Sequence, residues 1–141
     1  MIDFLIHKYF NFLTEKLQFK GPYSYNHVRE YHTDFVKGNI IVKIACEGDF
    51  WVDIIQLKCF DPEIESGKKR VVDLKSNDCK YYEPGQLDKK KKLWNSVSDV
   101  NFPDKELWYS HKLIMKNPEL LEGNFEKFSL KYRILKFLGV K

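Results

Sequence analysis

The chain has 141 residues and a formal net charge of +4, with 43% hydrophobic, 16% aromatic and 31% charged residues. This length and composition favour one folded domain with one core and exclude a disordered chain. The basic excess comes from the second half, because residues 1–70 hold 10 basic and 10 acidic residues whereas residues 71–141 hold 14 and 10. A charge this modest does not by itself indicate a nucleic-acid partner.

The first residues predict an amphipathic helix. Apolar residues recur every three or four positions from Ile2 to Phe19, with polar residues between them. We expect Gly21 and Pro22 to end this helix, because glycine suits the left-handed C-terminal position and proline cannot continue the hydrogen bonds. The segment lacks the features of a signal peptide, and no window reaches the roughly 18 apolar residues of a membrane span. We therefore expect a cytoplasmic protein without a membrane contact.

A three-stranded antiparallel sheet is predicted next, centred on a β-hairpin. The predicted strands cover residues 28–36, 40–46 and 50–57. β-branched and aromatic residues fill the last two strands, and a short polar turn around Gly48 joins them. Alternate residues from Ile40 onward are apolar, whereas the other face carries Lys43, which predicts one buried face and one mixed face.

Residues 60–101 contain repeated turn signals and are harder to interpret. Arg70–Leu74 predicts a short fourth strand, and Gln86–Trp94 predicts either a helical turn or an exposed loop. Long connections of this kind often carry function, so we expect partner contacts here.

The C-terminal part predicts helices. Pro103 and Asp104 are typical of a first helical turn, and the apolar spacing continues to Lys116. A second apolar stripe consists of Leu121, Phe125, Phe128, Tyr132 and Leu135. The predicted fold is a single α+β domain over residues 1–141, with an antiparallel sheet of three to five strands, an N-terminal helix and two or three C-terminal helices.

Few residues suggest catalysis. Asp53, Gln56 and Lys58 invite comparison with a metal-dependent nuclease, but strand alternation places Asp53 and Gln56 on opposite faces. The same alternation separates His27 from His32 on the predicted strand, which argues against a zinc site.

The three cysteines lack a C-x-x-C spacing, which predicts reduced thiols rather than disulfides or a zinc site. We expect Cys46 and Cys59 to be buried and unreactive, and Cys79 to be exposed. The chain also lacks a Gly-rich phosphate loop, a G-x-S-x-G elbow and an H-E-x-x-H pair. We therefore predict no catalytic residue, no metal and no cofactor, and hence a protein that is not an enzyme.

One segment combines lysines with aromatic residues. Its members are Tyr81, Tyr82, Lys89, Lys90, Lys91, Lys92 and Trp94. Lysines that bind phosphates and rings that stack on bases are typical of nucleic-acid surfaces. Exposed aromatic residues equally anchor protein interfaces, and runs of lysine are commonly a solvated face. A protein partner and a nucleic-acid partner both remain open from these residues.

The order of elements resembles that of a group of bacterial proteins. The chain contains, in this order, a predicted helix with FLTEKLQF, a Gly-Pro pair, HVREYHTDFVKGNIIVKI and FWVDIIQLK. This order is similar to that of immunity proteins from polymorphic or contact-dependent toxin–immunity pairs, over the first sixty residues in pattern and the whole chain in size. The group shares no motif, so no binding residue carries over. Immunity proteins against nucleases are often strongly acidic, whereas this chain is net basic.

The resemblance implies a cytoplasmic, non-enzymatic protein that binds a cognate toxin domain and blocks or distorts its active site. Acidic residues near the hairpin would then face a basic toxin surface: Glu47, Asp49, Asp61 and Glu63. The lysine and aromatic segment would face an acidic one. A small basic nucleic-acid-binding or regulatory module is the alternative function.

Overall fold

The computed structural model describes residues 2–128 together with 138 and 139. Helix α1 (Ile2–Glu15) comes first, followed by four strands: β1 (Lys20–His27), β2 (Glu30–Lys37), β3 (Ile40–Glu47) and β4 (Asp49–Leu57). The later elements are α2 (Pro62–Glu65), β5 (Cys79–Tyr82), α3 (Lys92–Asn95) and α4 (Lys105–Lys116). The strands form one antiparallel sheet in the order β1-β2-β3-β4-β5. The predicted single-domain α+β fold is therefore confirmed.

Helix α1 ends earlier than predicted. Its last residue is Glu15, and the Gly21-Pro22 pair lies inside β1. Gln18 takes the left-handed conformation expected of a glycine, with φ 62°, and the N–H of Phe19 donates to the Leu13 carbonyl at 2.8 Å. The prediction that Gly21 and Pro22 end the helix was wrong, because a non-glycine residue provides the left-handed turn.

The segment predicted as one strand over residues 28–36 is instead part of a hairpin. β1 and β2 are joined at Val28 and Arg29, and Val28 has φ 58° with 89% of its surface exposed. A β-branched residue is rarely found in this conformation, so the sequence gives no turn signal at this position. The second hairpin, β3 with β4, lies where it was predicted.

Both faces of the central strand are buried. Every residue of β3 from Ile40 to Cys46 is buried. The larger core packs α1 and α4 against the face that carries Val42 and Ile44. A smaller core covers part of the other face with Ile64 and Val71, which come from the connection after β4. The prediction of one mixed face was therefore wrong for this part of the sheet, because a second layer covers it.

The connection between β4 and α4 contains the fifth strand at a position that was not predicted. Residues Val71–Asp73 form a 3-10 helix, so the predicted strand at Arg70–Leu74 is wrong. The strand is Cys79–Tyr82, whose backbone pairs with the end of β4. Cys79 is consequently buried and Cys59 is exposed, which reverses the prediction for these two thiols.

The C-terminal helices follow the prediction where the structure describes them. α4 ends at Lys116, and 3-10 helices follow at Pro118–Glu122 and Phe125–Phe128. Leu121, Phe125 and Phe128 pack against the larger core. Tyr132 and Leu135 lie outside the described residues. Within the described ranges, no helix has the length and apolar character needed to cross a membrane.

Candidate partner-binding groove

Strand β4 is paired along only half of its outer side. β5 pairs with residues 54–57 of β4, ending at the Ile54–Tyr82 pair. Two residues later the chain reaches Pro84, which lacks an N–H donor, and turns away in the 3-10 helix Pro84–Leu87. Among the residues that the structure describes, residues 49–53 therefore have β3 on one side and no strand on the other. We call this unpaired side the open edge of β4.

One hydrogen bond fixes which backbone groups face the open edge. The N–H of Leu57 donates to the Asn39 carbonyl at 2.8 Å, on the β3 side of the strand. Alternate residues of an antiparallel strand direct their N–H and C=O groups to the same neighbour. Odd-numbered residues of β4 therefore bond to β3, and the backbone groups of Phe50 and Val52 point to the open edge.

A groove runs along the open edge, with a cavity volume of about 300 Å³. We call it the β4 groove. Its lining residues come from β4, from the connection after β5 and from α4: Phe50, Trp51, Val52, Glu83, Gly85, Lys91, Trp94, Glu106, Tyr109 and Ser110. The groove thus combines strand backbone, aromatic rings and carboxylates.

Asp88 organises the wall of the groove opposite the strand. Its carboxylate accepts hydrogen bonds from the backbone N–H groups of Leu93 and Trp94, both at 3.1 Å, which caps the short helix α3. The Tyr109 hydroxyl donates to the same carboxylate at 2.8 Å. The rings of Trp94 and Tyr109 meet edge to face at 5.0 Å, and Lys105 Nζ lies 4.1 Å from the Trp94 ring centroid. These contacts hold Trp94 in a fixed position.

Glu106 is the chemically distinctive residue of the groove. The backbone N–H of Phe50 acts on its carboxyl and lowers its pKa, and its Oε2 atom is buried without a hydrogen-bond partner in the described structure. Burial, and then the negative charge of Asp49, raises the pKa of Glu106 above its ordinary value. A buried carboxylate oxygen without a donor is costly, so the site favours a donor brought by a partner.

The predicted binding residues separate into three groups in the structure. Lys91 and Trp94 line the groove, and Asp49 acts electrostatically on Glu106 at one end of it. Glu47 is exposed at the last residue of β3, Lys89 and Lys90 in the loop before α3, and Lys92 at the first residue of α3. Asp61 and Glu63 instead belong to α2, where Asp61 accepts the Glu63 N–H at 3.0 Å and pairs with Lys69 at 3.3 Å.

The two tyrosines point to opposite faces of β5. Tyr81 is 50% exposed, whereas Tyr82 is 7% exposed and its ring contacts Phe125 and Phe128. Tyr82 therefore packs in the core. Trp51, Glu106 and Tyr109 were not predicted as binding residues, because strand and helix spacing alone do not reveal which residues line a groove.

A second feature, a buried polar network, lies on the face of the sheet opposite α1. Its centre is the Lys43 ammonium, 6% exposed, which lies 2.9 Å from Asp34 Oδ1 and donates to Tyr25 Oη at 2.8 Å. The contact with Oδ1 is an ion pair without hydrogen-bond geometry, since this oxygen has no hydrogen-bond partner. The Tyr25 hydroxyl donates to Asp34 Oδ2 at 2.6 Å.

His32 completes the network. Its Nδ1 lies 3.0 Å from Lys43 Nζ, and its Nε2 lies 2.8 Å from Glu30 Oε2. An ammonium group has no lone pair, so Nδ1 accepts and the proton of the neutral ring sits on Nε2. Burial, and then the charge of Lys43, lowers the pKa of His32. Burial also lowers the pKa of Lys43, while Asp34 opposes this effect.

The hairpin also changes the histidine geometry. The rings of His27 and His32 lie 6.0 Å apart on the same face, so the expectation that they point to opposite faces was wrong. The unpredicted turn at Val28 places them on adjacent strands instead of on one. Among the residues that the structure describes, no group of three or more histidine, cysteine, aspartate or glutamate side chains is arranged to hold a metal ion.

Comparison with protein-family models, curated proteins and solved structures finds no match to this chain.

Asp53, the candidate nuclease carboxylate, lies between the β4 groove and the buried polar network around Lys43. It pairs across the strands with Lys43. Burial, and then the charge of Glu83, raises the pKa of Asp53 to about 6, while Lys43 acts in the opposite direction. Lys58 is exposed at the end of β4, five residues further along the strand. The two residues therefore do not lie side by side.

Proposed function

We propose that this protein is a non-enzymatic immunity protein, which neutralises a cognate toxin domain in the cytoplasm by stoichiometric binding. The β4 groove and its rim are the contact surface. The observation that carries this proposal is the groove itself, a pre-formed concave surface between an unpaired strand edge and the fixed ring of Trp94. Aromatic residues in pre-formed pockets are the typical anchors of tight protein interfaces.

The charges around the groove support a protein partner with a mixed surface. Glu47, Asp49 and Glu83 are exposed on the side of the strand, and Lys89–92 are exposed on the side of α3. A protein surface of complementary pattern would meet both signs, which increases the rate of association and the specificity. Trp51 is 38% exposed at the groove and provides a further aromatic contact.

Nucleic-acid binding, the alternative, has support from the exposed lysines but less from the rings. Trp94 already contacts Tyr109 and Lys105, and Tyr82 is buried. Of the three aromatic residues in the segment, Tyr81 alone is highly exposed, and single-strand binding commonly stacks successive bases on several rings. Capture of partners from cells at increasing salt distinguishes the two functions.

The test is capture of partners by the tagged full-length protein from its own cells, with washes of increasing salt. Mass spectrometry identifies retained proteins, and absorbance measures retained nucleic acid. We expect one protein partner in a one-to-one ratio that survives high salt. Nucleic acid that is released as the salt concentration rises, without a stoichiometric protein, would contradict the proposal, because phosphate contacts weaken steeply with salt.

A further inference from the structure

The open edge of β4 offers backbone groups that a further strand needs. The N–H of Phe50 acts on the Glu106 carboxyl, and the Phe50 carbonyl and the N–H and carbonyl of Val52 remain for a partner. No side-chain hydrogen bond to these three groups occurs within residues 2–128. Their direction is that of the β5 ladder, so a strand about 4.8 Å away would continue the sheet. The five residues from 49 to 53 span at most about 17 Å at this rise.

The two outer edges of the sheet differ in how they resist pairing. β1 carries Lys20 and Pro22, and lysine and proline are residues that block the addition of a further strand. The open half of β4 contains neither residue type, and its sequence is DFWVD. Its charged residues are Asp49 and Asp53, so a chain that adds a strand here must bring basic residues to meet them.

The charge of the groove favours a basic occupant. The lining residues include two carboxylates, Glu83 and Glu106, against one cation, Lys91, and Asp49 adds negative charge at one end. The buried Glu106 Oε2 has no donor. A lysine or arginine would supply a charged donor at this position, and charge-assisted hydrogen bonds of this kind are the strong ones.

We propose that the β4 groove binds an extended segment of the partner protein, which pairs with the open edge of β4 and places a lysine or arginine against Glu106. The partner's identity as a toxin rests on the proposed function, whereas the mode of binding rests on the groove. A second copy of this chain is a weaker candidate, because the acidic edge of one copy would face the acidic edge of the other.

The test uses synthetic peptides, so it does not require the toxin. A phage library of random 12-residue peptides is panned against the folded full-length protein. We expect enriched peptides in which β-branched or aromatic residues alternate around one lysine or arginine. The Kd of such a peptide should rise about tenfold or more in Glu106→Gln, which corresponds to at least 1.4 kcal/mol. Glu122→Gln, an exposed glutamate outside the groove, should leave it unchanged.

A backbone test distinguishes strand pairing from other contacts. The enriched peptide is synthesised with single N-methyl groups at each position in turn. N-methylation removes one backbone donor, so we expect a loss of about tenfold at the position that donates to β4 and little effect at the positions on either side of it. Thermal unfolding of Glu106→Gln confirms that the variant is folded.

Several results would overturn the inference. They are a library without enrichment, enriched peptides that bind Glu106→Gln equally well, N-methyl effects without the strand alternation, and self-association of the protein through residues 49–53. If the toxin is captured from cells but the peptides behave in any of these ways, the proposed function stands and this mode of binding falls. If the peptides behave as expected but no toxin is captured, the groove binds strands and the toxin assignment falls.

Discussion

Lys43 occupies a position where a charge is costly, in the central strand of the sheet and 6% exposed. Its ammonium group donates to Tyr25 and to the acceptor nitrogen of His32, and it forms an ion pair with Asp34. The rings of Tyr25 and His32 stack at 5.4 Å with an interplanar angle of 1°. Each partner is held by a second contact, so the network defines one arrangement of the β1–β2 hairpin on β3.

Removing the Lys43 charge alone should strongly destabilise the fold. In Lys43→Met the Asp34 carboxylate stays buried without its counter-charge, and we expect a loss of about 3–5 kcal/mol in the free energy of unfolding by urea. The double variant Lys43→Met with Asp34→Leu should recover most of this loss. Lys68→Met, at an exposed position, should change stability by less than about 0.5 kcal/mol. Equal stabilities of the single variant and this control would contradict the role of the network.

Asp53 should make stability depend on pH in a defined direction. Its folded pKa of about 6 lies above its ordinary value of 3.8, so the stabilising effect is complete below pH 3.8 and is lost as pH rises through 6. Asp53→Asn has no ionisable group at this position, so its free energy of unfolding does not fall for this reason as pH rises. The variant should therefore gain roughly 2 kcal/mol relative to the wild type between pH 4 and pH 7.5, measured by urea unfolding. A difference that is independent of pH would show that Asp53 is not perturbed.

At the scale of the elements, local sequence predicted the β3–β4 hairpin well and its neighbours poorly. β-branched runs around Gly48 define that hairpin without tertiary information. β1 was missed because its turn uses Val28, and β5 because four residues carry no reliable period. Its pairing with β4 depends on the connection that brings it there, which only the folded chain specifies.

Hydrogen exchange should reveal the open edge directly. In the free protein, the amide of Val52 points to the open edge, whereas those of Trp51 and Asp53 bond to β3 across the Ala45 and Lys43 pairs. We expect Val52 to exchange at least about tenfold faster than both neighbours in an NMR measurement. Uniform protection across residues 51–53 would mean that another group covers this edge.

Gly123 should be required for the packing of the segment after α4. It has φ 81°, and a Cβ atom there would lie 2.7 Å from Ile40 Cδ1 and 2.8 Å from Gln56 Nε2. Gly38 has φ 60° but open space around its Cα atom. Replacing either glycine strains the backbone. The two substitutions therefore differ only in the clash of the added Cβ atom, which occurs at Gly123 and not at Gly38. The two atoms that it meets are the ends of side chains that can shift, so Gly123→Ala should cost about 1 kcal/mol more than Gly38→Ala in urea unfolding, the low end of the overpacking range.

At the scale of the whole molecule, the groove joins residues that are far apart in sequence. Trp51, Trp94 and Glu106 come from a strand, a short helix and a long helix. The sequence predicted the lysine and aromatic segment as a contact region, and Lys91 and Trp94 do line the groove. It could not predict Glu106, whose role depends on the early end of β5, nor the burial of Tyr82, which depends on the chain beyond α4.

We propose that the protein acts by binding a partner protein through the β4 groove. The most direct measurement compares capture of the partner from cells by the wild type, by Trp51→Ala and by the control Phe4→Ala, all verified as folded. Phe4 is 67% exposed on α1 and does not line the groove. We predict that the wild type and Phe4→Ala retain one stoichiometric protein at high salt and that Trp51→Ala loses it. Equal retention by both variants, or retention of no protein, would contradict binding through the β4 groove.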